Sequence, residues 1–195
     1  VPELRSPRAG AAVLAATAGA TDLLALTDLG GAFASIVTGN LVTAGYAIAT
    51  ADLQRLVPVA VAVTGYALGV ILWSLPWTRQ LLAEFALLMT VAAPLPATLR
   101  LFTAAVAMGG QSVIGLRLGA VTTYLTGALA TALRDLTAGR RKASVTVLIQ
   151  LVSLVTGAAV TAGIRVVAPS AALFVPPFLV VIAAVLLTPV KGASR

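Results

Sequence analysis

Few side chains in this sequence of 195 residues can handle a proton or a polar ligand, and they fall at recurring positions. Asp22 lies about two thirds of the way along the first apolar run, where an ionised carboxylate near a bilayer centre costs roughly 2.5 to 3.5 kcal/mol. It must face protein, either as a proton-titrating or substrate-contacting acid or as a helix-ending residue that hydrogen-bonds the Gly30-Gly31 break. Thr38-Gly39-Asn40 and Thr126-Gly127-Ala128 can each interrupt a spanning element. Glycine permits an unusual backbone, Thr or Asn caps a new helix start, and the free N–H groups can take an anionic or polar ligand. Ser35, Thr122, Thr123 and Tyr124 add hydroxyls, and Gln111 adds an amide. In the structural alternative these small residues let helices pack closely, Thr hydroxyls bond the preceding turn, and a side chain at Gly39 or Gly127 would intrude.

The absences narrow the chemistry. With no Cys and no His, thiol nucleophiles, imidazole bases and most transition-metal and haem ligand sets are missing. The six acids, Glu3, Asp22, Asp28, Asp52, Glu84 and Asp135, stand singly, so no paired-carboxylate or metal site is legible, and neither an enzyme nor a cofactor is expected. Glu84 reads as a first-turn acid complementing the helix dipole and pairing with Arg79, in preference to a coupling site.

The elements that hold these residues are membrane helices. Hydrophobic residues make up 59% of the chain and charged ones 10%, with Ala, Val, Leu and Gly prominent rather than aromatics, as in closely packed transmembrane helices. Breaking the chain at Gly, Pro and charge clusters gives eight apolar segments, at roughly 10–28, 33–51, 56–75, 80–95, 97–116, 119–136, 143–165 and 170–188. The first is read as a membrane segment and not a cleaved signal, because its apolar pattern runs on without a cleavage site. The net charge of +7 sits between apolar runs, so it reports topology and not nucleic-acid binding. Alternating eight crossings puts ten Lys and Arg on the side of the termini and three opposite. A second topology makes the second and sixth segments re-entrant, exchanges Arg55 and Arg100 for Arg79 and Arg117, and gives the same split. Both place the termini and the Arg140-Arg141-Lys142 loop in the cytoplasm.

An internal repeat at an offset of 88 pairs Gly31 with Gly119, Thr38 with Thr126, Gly39 with Gly127 and Gly69 with Gly157. Repeat one covers about 10–95 and repeat two about 97–188 of a single membrane domain spanning 1–195. Eight crossings leave the repeats parallel, six plus two re-entrant elements leave them inverted, and the eight-crossing form is preferred because neither doubtful segment holds an interior charge. Gly65 with Gly69, and Gly115 with Gly119, have the spacing of helix contacts, and Pro176-Pro177 should kink the last segment.

GlyGlyAlaPhe at 30–33, ThrGlyAsnLeu at 38–41, MetGlyGlyGln at 108–111 and ThrThrTyrLeuThrGly at 122–127 resemble the YoaK-like family of bacterial integral membrane proteins, over nearly the whole chain. That resemblance implies a multi-pass protein of about this size in a bacterial cytoplasmic membrane, and no known substrate. Ser112 where Asn is expected, Ala128 where a polar residue is expected and the short 117–122 stretch make the halves unequal as ligand sites. The expectation is an all-α polytopic bundle acting as a small-solute secondary transporter or permease, with its site between the repeats. A homodimer would help so short a chain enclose a pathway. The rival is a non-catalytic membrane scaffold or accessory subunit, in which polar residues merely fasten helices.

Overall fold

The computed structural model describes residues 4–76, 79–120, 122–123 and 125–189, the side chains of 141–143 excepted. It is 80% helical, and no strand occurs among the described residues. A helix satisfies its own backbone groups, which an apolar chain in lipid requires. The elements are α1 (Pro7–Asp28), α2 (Val37–Ala49), α3 (Leu53–Ser74), α4 (Gln80–Met89) with a 3-10 turn at Thr90–Ala92, α5 (Ala97–Arg117), α6 (Leu125–Thr137), α7 (Arg141–Val167), α8 (Pro169–Ala172) and α9 (Val175–Leu186).

Among the described residues five stretches are long and apolar enough to cross a membrane: α1, α3, α5, Ser144–Val167 and Pro169–Leu186. α4 with its 3-10 turn is a shorter apolar helix. The expected second and sixth segments do not form spanning helices. α2 and α6 have 13 residues each, about 20 Å at 1.5 Å per residue, against a hydrocarbon core of about 30 Å. Their starts lie 88 residues apart, as do those of α3 and α7.

Local chemistry sets the boundaries. Pro7 sits in the first turn of α1, where its missing N–H is harmless. Asp52 caps α3 by accepting from the Arg55 N–H at 3.1 Å. α1 ends at Gly30 and Gly31, with φ of +119° and +82°, a conformation open to glycine. Pro176 and Pro177 occupy the first turn of α9, so they start a helix after the 173–174 turn instead of kinking one at mid-length.

α1 packs mainly on α7 and α9, and α5 on α3 and α4, so each half of the chain lends its first helix to the other half. Glycines permit these close crossings. A Cβ on Gly157 would overlap the Ala16 carbonyl, and one on Gly69 the Val106 carbonyl. A Cβ on Gly65 would stand 2.8 Å from the Phe102 carbonyl oxygen, as the spacing with Gly69 suggested. Gly119 by contrast lies past the end of α5 with φ +64° and nothing within 4 Å, so the Gly115–Gly119 pair is no helix contact.

The contacts also give direction. α1 and α7 run the same way: residues 12–16 face 152–157, and Asp28 reaches Arg165. α3 and α5 run together, from Gly65 beside Phe102 to Trp73 beside Arg117. α4 runs against α5, because Gln80 bonds Arg117 while Thr90 bonds Thr103. One end of the bundle, here proximal, gathers Leu4, Leu14, Trp73, Val113, Leu118 and Leu187 into one apolar cluster. The distal end gathers Leu29, Ala32, Val59, Val91 and Leu101 in a second.

Candidate functional site

The distal site is built where the chain leaves α1. After Asp28 it turns back, so that Ser35 meets Asp22, six residues or about 9 Å inside the helix end. Asp22 is buried and accepts from the Ser35 N–H at 2.8 Å and the Ser35 hydroxyl at 2.5 Å. Asn40, buried in the first turns of α2, accepts from the Phe33 N–H at 3.0 Å and donates to the Phe33 carbonyl at 2.7 Å. These four bonds staple the 29–36 break to both flanking helices. α2 then runs outward, since Thr43, Asp52 and Arg55 share an open distal pocket of about 510 Å³ with Gly30 and Gly31.

The proximal site repeats the backbone but not the bonds. α5 ends in a turn in which the Ala120 N–H reaches the Gly115 carbonyl, and the chain folds back until Thr122 lies against Gly115 and the Gln111 carbonyl, the latter at 3.5 Å. Gln111, fully buried, donates to the Leu14 carbonyl at 2.9 Å, and its Oε1 finds no partner among the described residues. Thr123 is buried with its hydroxyl likewise unpartnered. Ser112 bonds the Gly109 carbonyl in its own helix. Tyr124 lies outside the described residues.

The residues expected to form one site are thus split between two. Asp22, Ser35 and Asn40 come together distally, while Gln111, Thr122 and Thr123 gather proximally around Leu14, eight residues or about 12 Å along α1 from Asp22. The Thr-Gly motifs do not interrupt helices. Thr38-Gly39 and Thr126-Gly127 fall in the first turns of α2 and α6, each after a break, with both Thr exposed. Nor is either glycine sterically required: a Cβ on Gly39 would make ordinary 3.5 Å contacts, and one on Gly127 would meet nothing within 4 Å.

Glu84 departs most from expectation. It is fully buried, no described ion pair includes it, and Arg79 is exposed. Five residues apart on a helix is about 140° around the axis, so the two point to different faces. The signal in sequence was an acid with only Gln80, Leu81, Leu87 and Leu88 at helical-neighbour spacing. Sequence reasoning also missed the ion pair that closes the distal end, where Arg165 on α7 grips both Asp28 oxygens at 2.7 and 2.9 Å. At the proximal end Arg117 makes neutral bonds instead, to Gln80 Oε1 and the Trp73 carbonyl, both at 2.7 Å. Where α6 turns into α7, the Arg140 guanidinium bonded to Asp135 at 2.6 Å holds that carboxyl below its usual range.

A family profile described as "Protein of unknown function (DUF1275)" matches residues 10–186. No curated protein and no solved structure matches the chain. Four-bond closure of one break, its counterpart after α5 and the helices around them therefore belong to a member of the DUF1275 family, in keeping with the YoaK-like resemblance of its motifs.

Proposed function

We propose that the chain is a small-solute secondary transporter of the bacterial cytoplasmic membrane, built from two inverted repeats that cross six times and insert two re-entrant half-helices. One observation carries this. After the first helix of each half the chain folds back into the bundle and starts a 13-residue helix there, at positions 88 residues apart. Such half-helices start with unpaired N–H groups at membrane depth, a recurring way to hold a polar or anionic solute near the midplane. The exchange of first helices between halves, with α1 on α7 and α5 on α3, suits repeats related by a two-fold axis in the membrane plane.

Positive charge orients the bundle. The proximal end carries Arg5, Arg8, Arg79, Arg117, Arg134 and Arg140, the distal end Arg55, Arg100 and Arg165, so the proximal end with both termini is cytoplasmic. α2 packs mainly on α3 and α6 on α7, which leaves apolar faces that a second copy would cover in a homodimer. One observation favours the scaffold alternative: Asp22 and Asn40 spend their hydrogen bonds within their own break.

Cysteine accessibility separates the two, because the native chain has none. In intact cells Ala51→Cys should react with an impermeant thiol reagent from outside, and Ala138→Cys only after permeabilisation. Thr38→Cys and Thr126→Cys should react with a small water-soluble reagent in proteoliposomes, since a solute path must wet both half-helix starts. Two inert half-helix cysteines beside reactive Ala51→Cys and Ala138→Cys controls would favour the scaffold.

A further inference from the structure

Glu84 is the buried charge that the two breaks leave unexplained. It lies on α4, which packs between α5 and α9, and it has no solvent exposure. Neither carboxylate oxygen has a hydrogen-bond partner among the described residues. The bonds from Gln80 to Arg117 and from Thr90 to Thr103 set the register of α4 against α5, and between them Glu84 comes level with Gln111. Gln111 Oε1 and the Thr123 hydroxyl are the unpartnered oxygens of the proximal break, so three buried side chains with unused oxygens belong to the proximal half of the bundle.

The charged side chains on the described helices packed against α4 are arginines bonded elsewhere. α5 offers Arg117 at its proximal end, already bonded to Gln80 and the Trp73 carbonyl, and Arg100 at its distal end, bonded to the Val91 carbonyl. α9 has no titratable side chain, and neither has the 3-10 turn after α4. No group of three acids or other metal-ligating side chains exists among the described residues, and a metal ion would need about six oxygens where a proton needs one.

We propose that Glu84 is a proton-binding site. A proton passes from water to one carboxylate oxygen, forming an O–H bond, and returns to water by the reverse step. No other bond changes. An intramembrane acid on a transporter helix in this way couples a proton to solute movement, and only that consequence rests on the transport reading.

The test uses the full-length protein in proteoliposomes with dicyclohexylcarbodiimide, an apolar reagent that adds to a protonated carboxyl. The acid proton moves to a carbodiimide nitrogen, the carboxylate oxygen bonds to the central carbon, and rearrangement leaves a stable N-acylurea with nothing lost. Peptide mass spectrometry should locate the adduct on Glu84, and the labelled fraction should fall about tenfold per pH unit beyond the titration midpoint. Glu84→Gln should remove it. In the wild-type protein, which needs no variant to fold, the infrared C=O band of a buried carboxylic acid should titrate in parallel. Absence of adduct on Glu84 from about pH 5 to 9, or labelling that is constant across that range, overturns the site. An imposed pH gradient read by a trapped fluorescent pH dye then examines transport separately. A titrating Glu84 without any gradient-driven flux supports the proton site while rejecting the transporter.

Discussion

The two breaks share a backbone plan and differ in what closes them. At an offset of 88, Ser35 corresponds to Thr123, Asn40 to Ala128 and Asp22 to Gly110. In the distal break all three side chains are present and bonded, with Asp22 holding Ser35 and Asn40 holding Phe33. In the proximal break the position of the carboxylate holds Gly110, against which the Trp73 ring packs, the position of the amide holds Ala128, and the Thr123 hydroxyl has no partner among the described residues. The ends of the bundle follow the same division, with a bidentate ion pair from Arg165 to Asp28 distally and neutral bonds from Arg117 proximally. Among the described residues the proximal break is therefore held by fewer hydrogen bonds, and a moving part is drawn from the weakly held end of a structure.

The largest effect expected from this contrast is at Asp22. Asp22→Ala leaves the Ser35 N–H and hydroxyl buried without an acceptor and should lower stability in detergent by about 2 to 3 kcal/mol. Thr123→Val, which removes a hydroxyl with no partner among the described residues, should change stability by less than about 0.5 kcal/mol or raise it. Thermal unfolding of both variants decides the matter, and equal losses would break the comparison.

Restoring the missing fastening sharpens it. Ala128 stands at the position of Asn40 and is half-buried, so Ala128→Asn offers the proximal break an amide where Asn40 bonds Phe33 in the distal one. A gain of about 1 kcal/mol is expected, the net worth of such a bond. If gating uses the proximal side, the same variant should also slow reaction of Thr126→Cys with a water-soluble thiol reagent. Faster reaction would place the weak point elsewhere.

What the sequence made legible follows from what hydropathy measures. The long helices α1, α3, α5 and α7 were readable because a run of about twenty apolar residues has few other uses. Segment 33–51 is apolar and 119–136 holds charge only at Arg134 and Asp135 near its end, yet a window average says nothing about where a chain turns back. The signs were conformational: Gly30-Gly31 and Gly119 at positive φ bound one side of each short helix, and Ala51 and Gly139 the other. Asp22, read as either a ligand-contacting acid or a helix-ending residue bonded to Gly30-Gly31, bonds Ser35 from six residues inside the helix. Gly19, where a Cβ would overlap the Leu154 carbonyl, was hidden among small residues that give no spacing contrast. Glu84 was misjudged because nearness in sequence to Arg79 was taken for nearness on the helix surface.

The smallest effect comes from the corners where α2 and α6 turn into the long helices that follow. Their hydrogen bonds match one for one. The Ala51 and Asp52 N–H groups reach the Ile48 and Ala47 carbonyls at 3.2 and 2.8 Å, and the Gly139 and Arg140 N–H groups reach Leu136 and Asp135 at 3.1 and 2.8 Å. This is the Schellman closure, which puts one residue in the left-handed region. The proximal corner uses Gly139 at φ +77°, whereas the distal corner uses Ala51 at φ +53°. A side chain in that region costs about 1 to 2 kcal/mol, and glycine gives back up to about 1 kcal/mol through its freer unfolded chain. Ala51→Gly should therefore stabilise the protein by about 0.5 kcal/mol, and Gly139→Ala should destabilise it by a similar amount. Opposite shifts in melting temperature for the two single variants, cancelling in the double variant, are the expected outcome. A loss at Ala51→Gly would mean that the distal corner draws stability from the alanine methyl, and that the two corners, alike in hydrogen bonding, are held by different forces.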